Sequence, residues 1–185
     1  FSILIFIFVL WWFIPLIALI IKLTSKGSVF FIQERSGIKN KSFAVIKFRT
    51  MYINNNAQDQ QATRNDERIW PLGKILRRTN LDEMPQFINV LLGQMSVIGP
   101  RPHMLKHTEE YSKIIDKFMV RHLVKNGITG WAQVNGYRGE TKDVTDMEGR
   151  VRADVWYIEN WSFGLDVKII IMTIINMIRG EENAF

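Results

Sequence analysis

The chain contains no cysteine. That excludes disulfides, thiolate chemistry and cysteine-based zinc sites, and it fits a reducing compartment. Glycine is modest and no internal repeat is visible, which argues against solenoids and low-complexity segments. Acidic residues are outnumbered: 18 Asp and Glu against 24 Lys and Arg, a formal net charge of +6 over 185 residues. Such a balance points to anionic partners, whether phosphates, nucleic acid or acidic lipid. No helix-turn-helix or RNA-binding signature is present, so nucleic acid is not expected. The length suffices for one domain with a real core. The chain begins at Phe1 rather than Met, inside an apolar run, and reads as part of a longer protein.

That apolar run is the strongest bulk feature. Ile3 to Ile21 is nineteen residues without a charge. As a helix it would be roughly 28 Å long, about the thickness of a bilayer core. No basic leader or small-residue cleavage site marks it as a signal peptide, and a helix apolar on every side suits lipid better than a small core. Pro15 interrupts it. A proline removes a hydrogen bond and bends a helix, so residues 1–23 either cross the membrane or enter, break near Pro15 and return. The following flank carries Lys22, Lys26, Arg35, Lys39, Lys41, Lys47 and Arg49 against the single acid Glu34. By the positive-inside rule that flank is cytoplasmic.

Residues 24–185 read as one membrane-associated α+β domain, mostly helical. SVFFIQER and SFAVIKFRTM flank a turn at Gly37–Lys41, as in a small hairpin. Tyr52 to Glu67 is polar and reads as a solvated loop. Two helices are expected at the C-terminal end, about Asp143 to Asn160 and about Leu165 to Arg179. The second holds an uncharged decad, Ile169 to Ile178, suited to packing or to lying at an interface. Trp156, Tyr157, Trp161 and Phe163 precede it, either at headgroup level or in a core cluster.

Four stretches carry chemistry. In RTNLDEMPQ, Pro85 is comfortable only in the first turn of a helix. That predicts a helix beginning near Asp82, with Asp82 as its cap, Glu83 in the first turn, and the Asp82 carboxyl held ionised by the N-terminal field. The same field attracts phosphate. On this stretch alone, a capped helix with a dipole partner is the simpler reading, and a function needs opposite charge nearby. In FAVIKFRTM, strand alternation places Lys47 and Arg49 on one face, suited to a diphosphate or a surface ion pair. In GPRP, Arg101 stands between two prolines on a stiff extended backbone, a phosphate fork or a plain turn. In GITGWAQVNGYRGET, glycines permit close backbone approach around Arg138.

In this order, GSVFFIQERSG, FAVIKFRTM, LRRTNLDEMPQFINVLLGQMSVIGPRP, NGITGWAQVNGYRGET and DVWYIENWSFGLDVKII resemble the bacterial sugar transferase family, the monotopic phosphoglycosyl transferases. The resemblance covers essentially the whole chain. It implies that a UDP-sugar gives its sugar-1-phosphate to undecaprenyl phosphate, releasing UMP, with Mg²⁺, at the cytoplasmic face of a bacterial inner membrane. The ending is similar to members that load glucose-1-phosphate in exopolysaccharide and colanic-acid-type pathways. The resemblance makes Asp82 the nucleophile and Glu83 its partner, the pair being the metal ligands. Lys47, Arg49, Arg101 and Arg138 are the expected substrate-binding cations. It further implies a re-entrant helix broken at a Ser-Pro pair, where this chain has Ile14-Pro15. Galactose or an N-acetylhexosamine remain open as the sugar, and so does a homo-oligomer. A non-enzymatic, membrane-anchored basic module is the rival reading, and it leaves the Asp-Glu pair and GPRP unexplained.

Overall fold

The computed structural model describes residues 10–53, 62–63, 66–139, 141 and 143–179. Its architecture is mixed, with helices dominating two small two-stranded sheets. The first described helix, α1 (Trp11–Thr24), contains Pro15. At fourteen residues it is about 21 Å long. Among the described residues no helix is long and apolar enough to cross a membrane. The expected run begins at Ile3, and its first seven residues lie outside the described residues, as does any break in the chain before Leu10. Most of the polar stretch 52–67 lies outside them too.

The expected hairpin forms. Strands β1 (Phe30–Ser36) and β2 (Ser42–Phe48) pair antiparallel, from Phe30 opposite Phe48 to Ser36 opposite Ser42. Lys39 and Asn40 take left-handed conformations in the turn between them. The pleat divides the hairpin's work. On one face Phe30 stacks on Phe48, and Phe48 packs with Ile17 and Ile21 of α1, Trp70 and Leu76. On the other lie Gln33, Arg35 and, from the paired strand, Val45 and Lys47.

Helix α2 (Pro71–Arg78) opens on a proline at its first position, where no N–H is needed. Leu81 packs into the cluster beneath α1 and anchors a 3₁₀ turn, Leu81–Glu83. Helix α3 (Gln86–Leu91) follows. Its buried Asn89 caps the free edge of β2, accepting from Ile46 N–H at 3.1 Å and donating to Ala44 O at 2.8 Å. That contact holds the 3₁₀ turn beside Lys47 and closes a sheet edge.

The second sheet is parallel. Strand β3 (Ser96–Ile98) pairs with β4 (Gly127–Thr129), bringing GPRP beside GITG. A Cβ on Gly127 would collide with Gly99 N, and one on Gly130 with Gly99 O. Only glycine permits this approach, as the sequence suggested. Between the strands lie α4 (Leu105–Tyr111) and a 3₁₀ segment, Phe118–Leu123.

After β4 come α5 (Trp131–Val134), α6 (Val144–Glu159) and α7 (Phe163–Arg179). The last two match the expected C-terminal helices. Asp143 caps α6, accepting from Asp146 N–H at 2.8 Å. The four aromatics do not form one buried core cluster. Tyr157 is buried and its hydroxyl donates to Asp166 at 2.8 Å, whereas Trp161 and Phe163 are exposed. Trp156 stacks on Trp131 at 4.8 Å, and Lys168 lies over the Trp131 ring.

Candidate active site

The 3₁₀ turn that carries Asp82 and Glu83 is a correction to the expected helix. α3 begins four residues later, with Pro85 at its N-cap and Asp82 in the preceding turn. Asn80 opens that turn in a left-handed conformation (φ 58°). At three residues per turn, adjacent side chains diverge by about 120°, so the two carboxylates have different surroundings.

Glu83 is engaged. It is 6% exposed. Lys47 Nζ donates to Oε1 at 2.9 Å. Arg101 grips both oxygens, at 2.5 and 3.1 Å. Burial alone would raise the Glu83 pKa. Arg101 and Lys47 overcome that and hold the carboxyl well below the usual range.

Asp82 is equally buried, at 8% exposure. Among the described residues no side chain or backbone group hydrogen-bonds its carboxylate. Burial, followed by the charge of Glu83, raises its pKa, against the pull of Lys47, Arg77 and Arg138. This overturns the expected depression. A three-residue turn brings little helix dipole, and desolvation outweighs it.

Of the four expected cations, the structure brings three to the pair. Lys47 and Arg101 touch Glu83 directly. Arg138 bonds the side chain of Asn80, and its charge acts on both carboxyls. Arg49 lies apart. The ladder ends at Phe48, and the Arg49 guanidinium turns towards the end of α1. There it donates to Ser28 O (2.5 Å), Ser25 Oγ (2.9 Å), Met51 O (3.2 Å) and Ser25 O (3.2 Å) and covers Trp70. These bonds tie the end of α1 to the hairpin.

Two further cations were missed. Arg77, at the end of α2, donates to Thr50 Oγ1 at 2.8 Å and acts electrostatically on Asp82. Its place five residues before Asp82 offered only a weak signal. Arg35 shares the inner hairpin face with Lys47, so pairing register could have found it. Burial and then Arg101 lower the Arg35 pKa to about 9, against the pull of Glu83. Burial lowers Lys47 to about 8, although Glu83 opposes it.

The site therefore pairs one engaged carboxylate with one unengaged, among several half-buried cations. Such a surround suits a diphosphate. Among the described residues no third His, Asp or Glu joins the pair to make a metal cluster. Two carboxylates nevertheless fit the way Mg²⁺ is held when substrate phosphates and water complete its shell.

Residues 1–180 match the bacterial sugar transferase family. The chain is 52% identical, over 85% of its length, to a UDP-glucose:undecaprenyl-phosphate glucose-1-phosphate transferase of Escherichia coli, covering 34% of that protein. It is 47% identical to a protein of the same name from Xanthomonas campestris, over 95% of this chain and 37% of the relative. It is 42% identical to a UDP-N-acetylgalactosamine-undecaprenyl-phosphate N-acetylgalactosaminephosphotransferase of Aeromonas hydrophila, over 88% of this chain and 38% of the relative. The chain thus spans about a third of the length of these relatives. By the extent of the family match, it belongs to the bacterial sugar transferases.

Proposed function

We propose that this domain transfers a sugar-1-phosphate, glucose-1-phosphate in the first instance, from a UDP-sugar to undecaprenyl phosphate, releasing UMP. The observation that carries this reading is the asymmetry of the pair: Glu83 is locked by Lys47 and Arg101, while the Asp82 carboxylate has no hydrogen-bonding partner among the described residues.

In the first step an Asp82 carboxylate oxygen attacks the β-phosphorus. The bond from that phosphorus to the bridging oxygen breaks, and UMP leaves with the oxygen. In the second, a phosphate oxygen of the lipid attacks the same phosphorus. The bond to Asp82 breaks and the carboxylate is regenerated. Covalent catalysis divides one hard displacement into two. An anion must approach another anion, and two like charges about 4 Å apart repel by about 4 kcal/mol at an intermediate dielectric. Lys47, Arg101, Arg77 and Arg138 surround the pair and oppose that repulsion. Asp82 and Glu83 would hold Mg²⁺, which would supply further charge neutralisation. The raised Asp82 pKa and the negative charge of the substrate both oppose the ionised form that attacks, so the surrounding cations must favour it.

The membrane reading rests on exposed apolar side chains. Trp11, Trp12, Leu16, Leu19 and Leu23 project from α1, and Phe163, Ile171, Ile174 and Ile178 from α7. With Lys22 and Lys26 close by, they suit attachment to the cytoplasmic face of the bacterial inner membrane, where the acceptor's phosphate lies. Glucose follows the names of the Escherichia and Xanthomonas relatives, and the Aeromonas relative keeps an N-acetylhexosamine as the second reading.

The test is a panel of UDP-sugars incubated with undecaprenyl phosphate and Mg²⁺, scored by UMP release. UDP-glucose is expected to give the highest rate. No UMP from any donor would overturn the reaction and favour a basic binding module.

A further inference from the structure

Two of the arginines around the pair are held from behind by a single helix. α6 carries Arg150 and Asp154 one turn apart, so both side chains leave one face. Arg150 is buried. Its Nε donates to Tyr137 O at 3.0 Å and its Nη2 to Gly139 O at 3.2 Å. These carbonyls stand on either side of Arg138, whose guanidinium meets Asn80 at the head of the Asp82–Glu83 turn.

The second arm is parallel. Asp154, 1% exposed, accepts from Arg121 Nη2 at 2.7 Å. The same nitrogen donates to Arg101 O at 2.8 Å, and Arg101 grips Glu83. Arg121 is itself 1% exposed, and its Nη1 lies 2.6 Å from His103 Nδ1. No hydrogen bond or ion pair joins Arg150, Arg121 or Asp154 to Asp82 or Glu83, so their effect must pass through Arg138 and Arg101.

We propose that α6 is the positioning element of the site: Arg150 sets Arg138, and Asp154, through Arg121, sets Arg101. The functional part of this inference rests on the reading above, in which Arg138 and Arg101 meet the diphosphate. A long cation on a free loop must be ordered each time substrate arrives. One whose backbone carbonyls are already pinned by buried donors loses less freedom. Burying charged groups is costly, and a role in holding two substrate-facing arginines accounts for where these three sit.

Double-mutant cycles test each arm. Arg150→Met should lower kcat/KM about tenfold, and Arg150→Lys, which reaches one carbonyl only, should recover part of it. In an Arg138→Met background the same change should cost less than about twofold, because its route to the site is gone. Asp154→Asn should behave likewise against Arg101→Met. Independent, multiplied losses overturn the arm concerned. Amide hydrogen exchange supplies a readout that needs no turnover. Arg150→Met should speed exchange in residues 137–139 and also in Thr79–Glu83, while α3 keeps its protection. Unchanged exchange at Thr79–Glu83 would overturn that arm. Should Asp154→Asn fail to fold, Arg121→Lys replaces it, read by the same cycle. If the unmodified chain releases no UMP, the proposed reaction fails, and the exchange experiment still decides whether α6 positions the turn.

Discussion

Two buried charge clusters lie within this domain, and they are built to opposite plans. Around Arg121 the charges close on one another: Asp154 pairs with it, the Arg101 carbonyl accepts from it, and burial keeps the neighbouring His103 neutral. Around Asp82 and Glu83 the charges do not close. Lys47, Arg101, Arg77 and Arg138 act on two carboxylates, of which one is paired and the other is not. A closed cluster fixes geometry. An open cluster leaves one carboxylate unengaged among several cations, a setting that suits an incoming anion. On the proposed reading, the difference separates a positioning layer from a reacting layer within one small fold.

The comparison yields predictions of graded size. The largest concerns Glu83. Glu83→Gln leaves Lys47 and Arg101 without their counter-charge, and UMP release should fall about 100-fold or more. Because the Glu83 pKa is depressed on folding, its contribution to stability is present above the ordinary glutamate value of 4.5 and is lost as pH falls through the folded value. The variant's melting temperature should therefore drop most at neutral pH and least in acid, as calorimetry would show.

Next is the closed cluster. Arg121→Met strands a buried Asp154 and should cost about 3–5 kcal/mol in urea unfolding. A loss under about 1 kcal/mol would mean that the cluster is not closed in the way described.

The pH profile is the third. Lys47 loses its proton near pH 8, so kcat/KM should decline through an alkaline limb close to that value. Stability should move the other way. The folded lysine binds fewer protons than the unfolded one between about 8 and 10.5, so its contribution rises with pH over that window. Lys47→Met should abolish both trends. An acid limb should reflect Asp82, at a value above that of an ordinary aspartate.

The smallest effect on activity sits two residues from Lys47. Arg49→Met removes donors to Ser25, Ser28 and Met51, and should cost about 1–3 kcal/mol of stability. UMP release per folded molecule should stay within about twofold. A large specific loss there would return Arg49 to the reacting layer.

Much of this was legible in the sequence. Two β-rich runs around the turn at Gly37–Lys41 gave the hairpin, and the C-terminal stretch read as the two helices α6 and α7. The motifs, taken together with the family resemblance, marked Asp82, Glu83, Lys47, Arg101 and Arg138, and these residues do converge. What was not legible depends on tertiary contact. Pro85 allows a helix to start at Asp82 or just after it. The packing of Leu81 under α1 and the left-handed Asn80 select the later start. Alternation put Lys47 and Arg49 on one face, but the ladder stops at Phe48 and the chain leaves the pleat. The direction of the Asp82 pKa was misjudged because a sequence displays a dipole and hides desolvation. Arg150, Arg121 and Asp154 look in sequence like ordinary surface charges, and only folding buries them.

The central claim is that Asp82 is the attacking group and Glu83 its fixed partner. The most direct measurement is mass spectrometry of the Asp82 peptide after brief incubation with a UDP-sugar and Mg²⁺ but no lipid acceptor, comparing the native chain with Asp82→Asn. The account predicts a sugar-phosphate adduct on Asp82 in the native chain, together with UMP. It predicts neither in Asp82→Asn, which should fold and melt at a temperature no lower than the native chain, because a carboxyl raised by burial is removed. Near-normal UMP release by Asp82→Asn, or an adduct carried by a different residue, would contradict it.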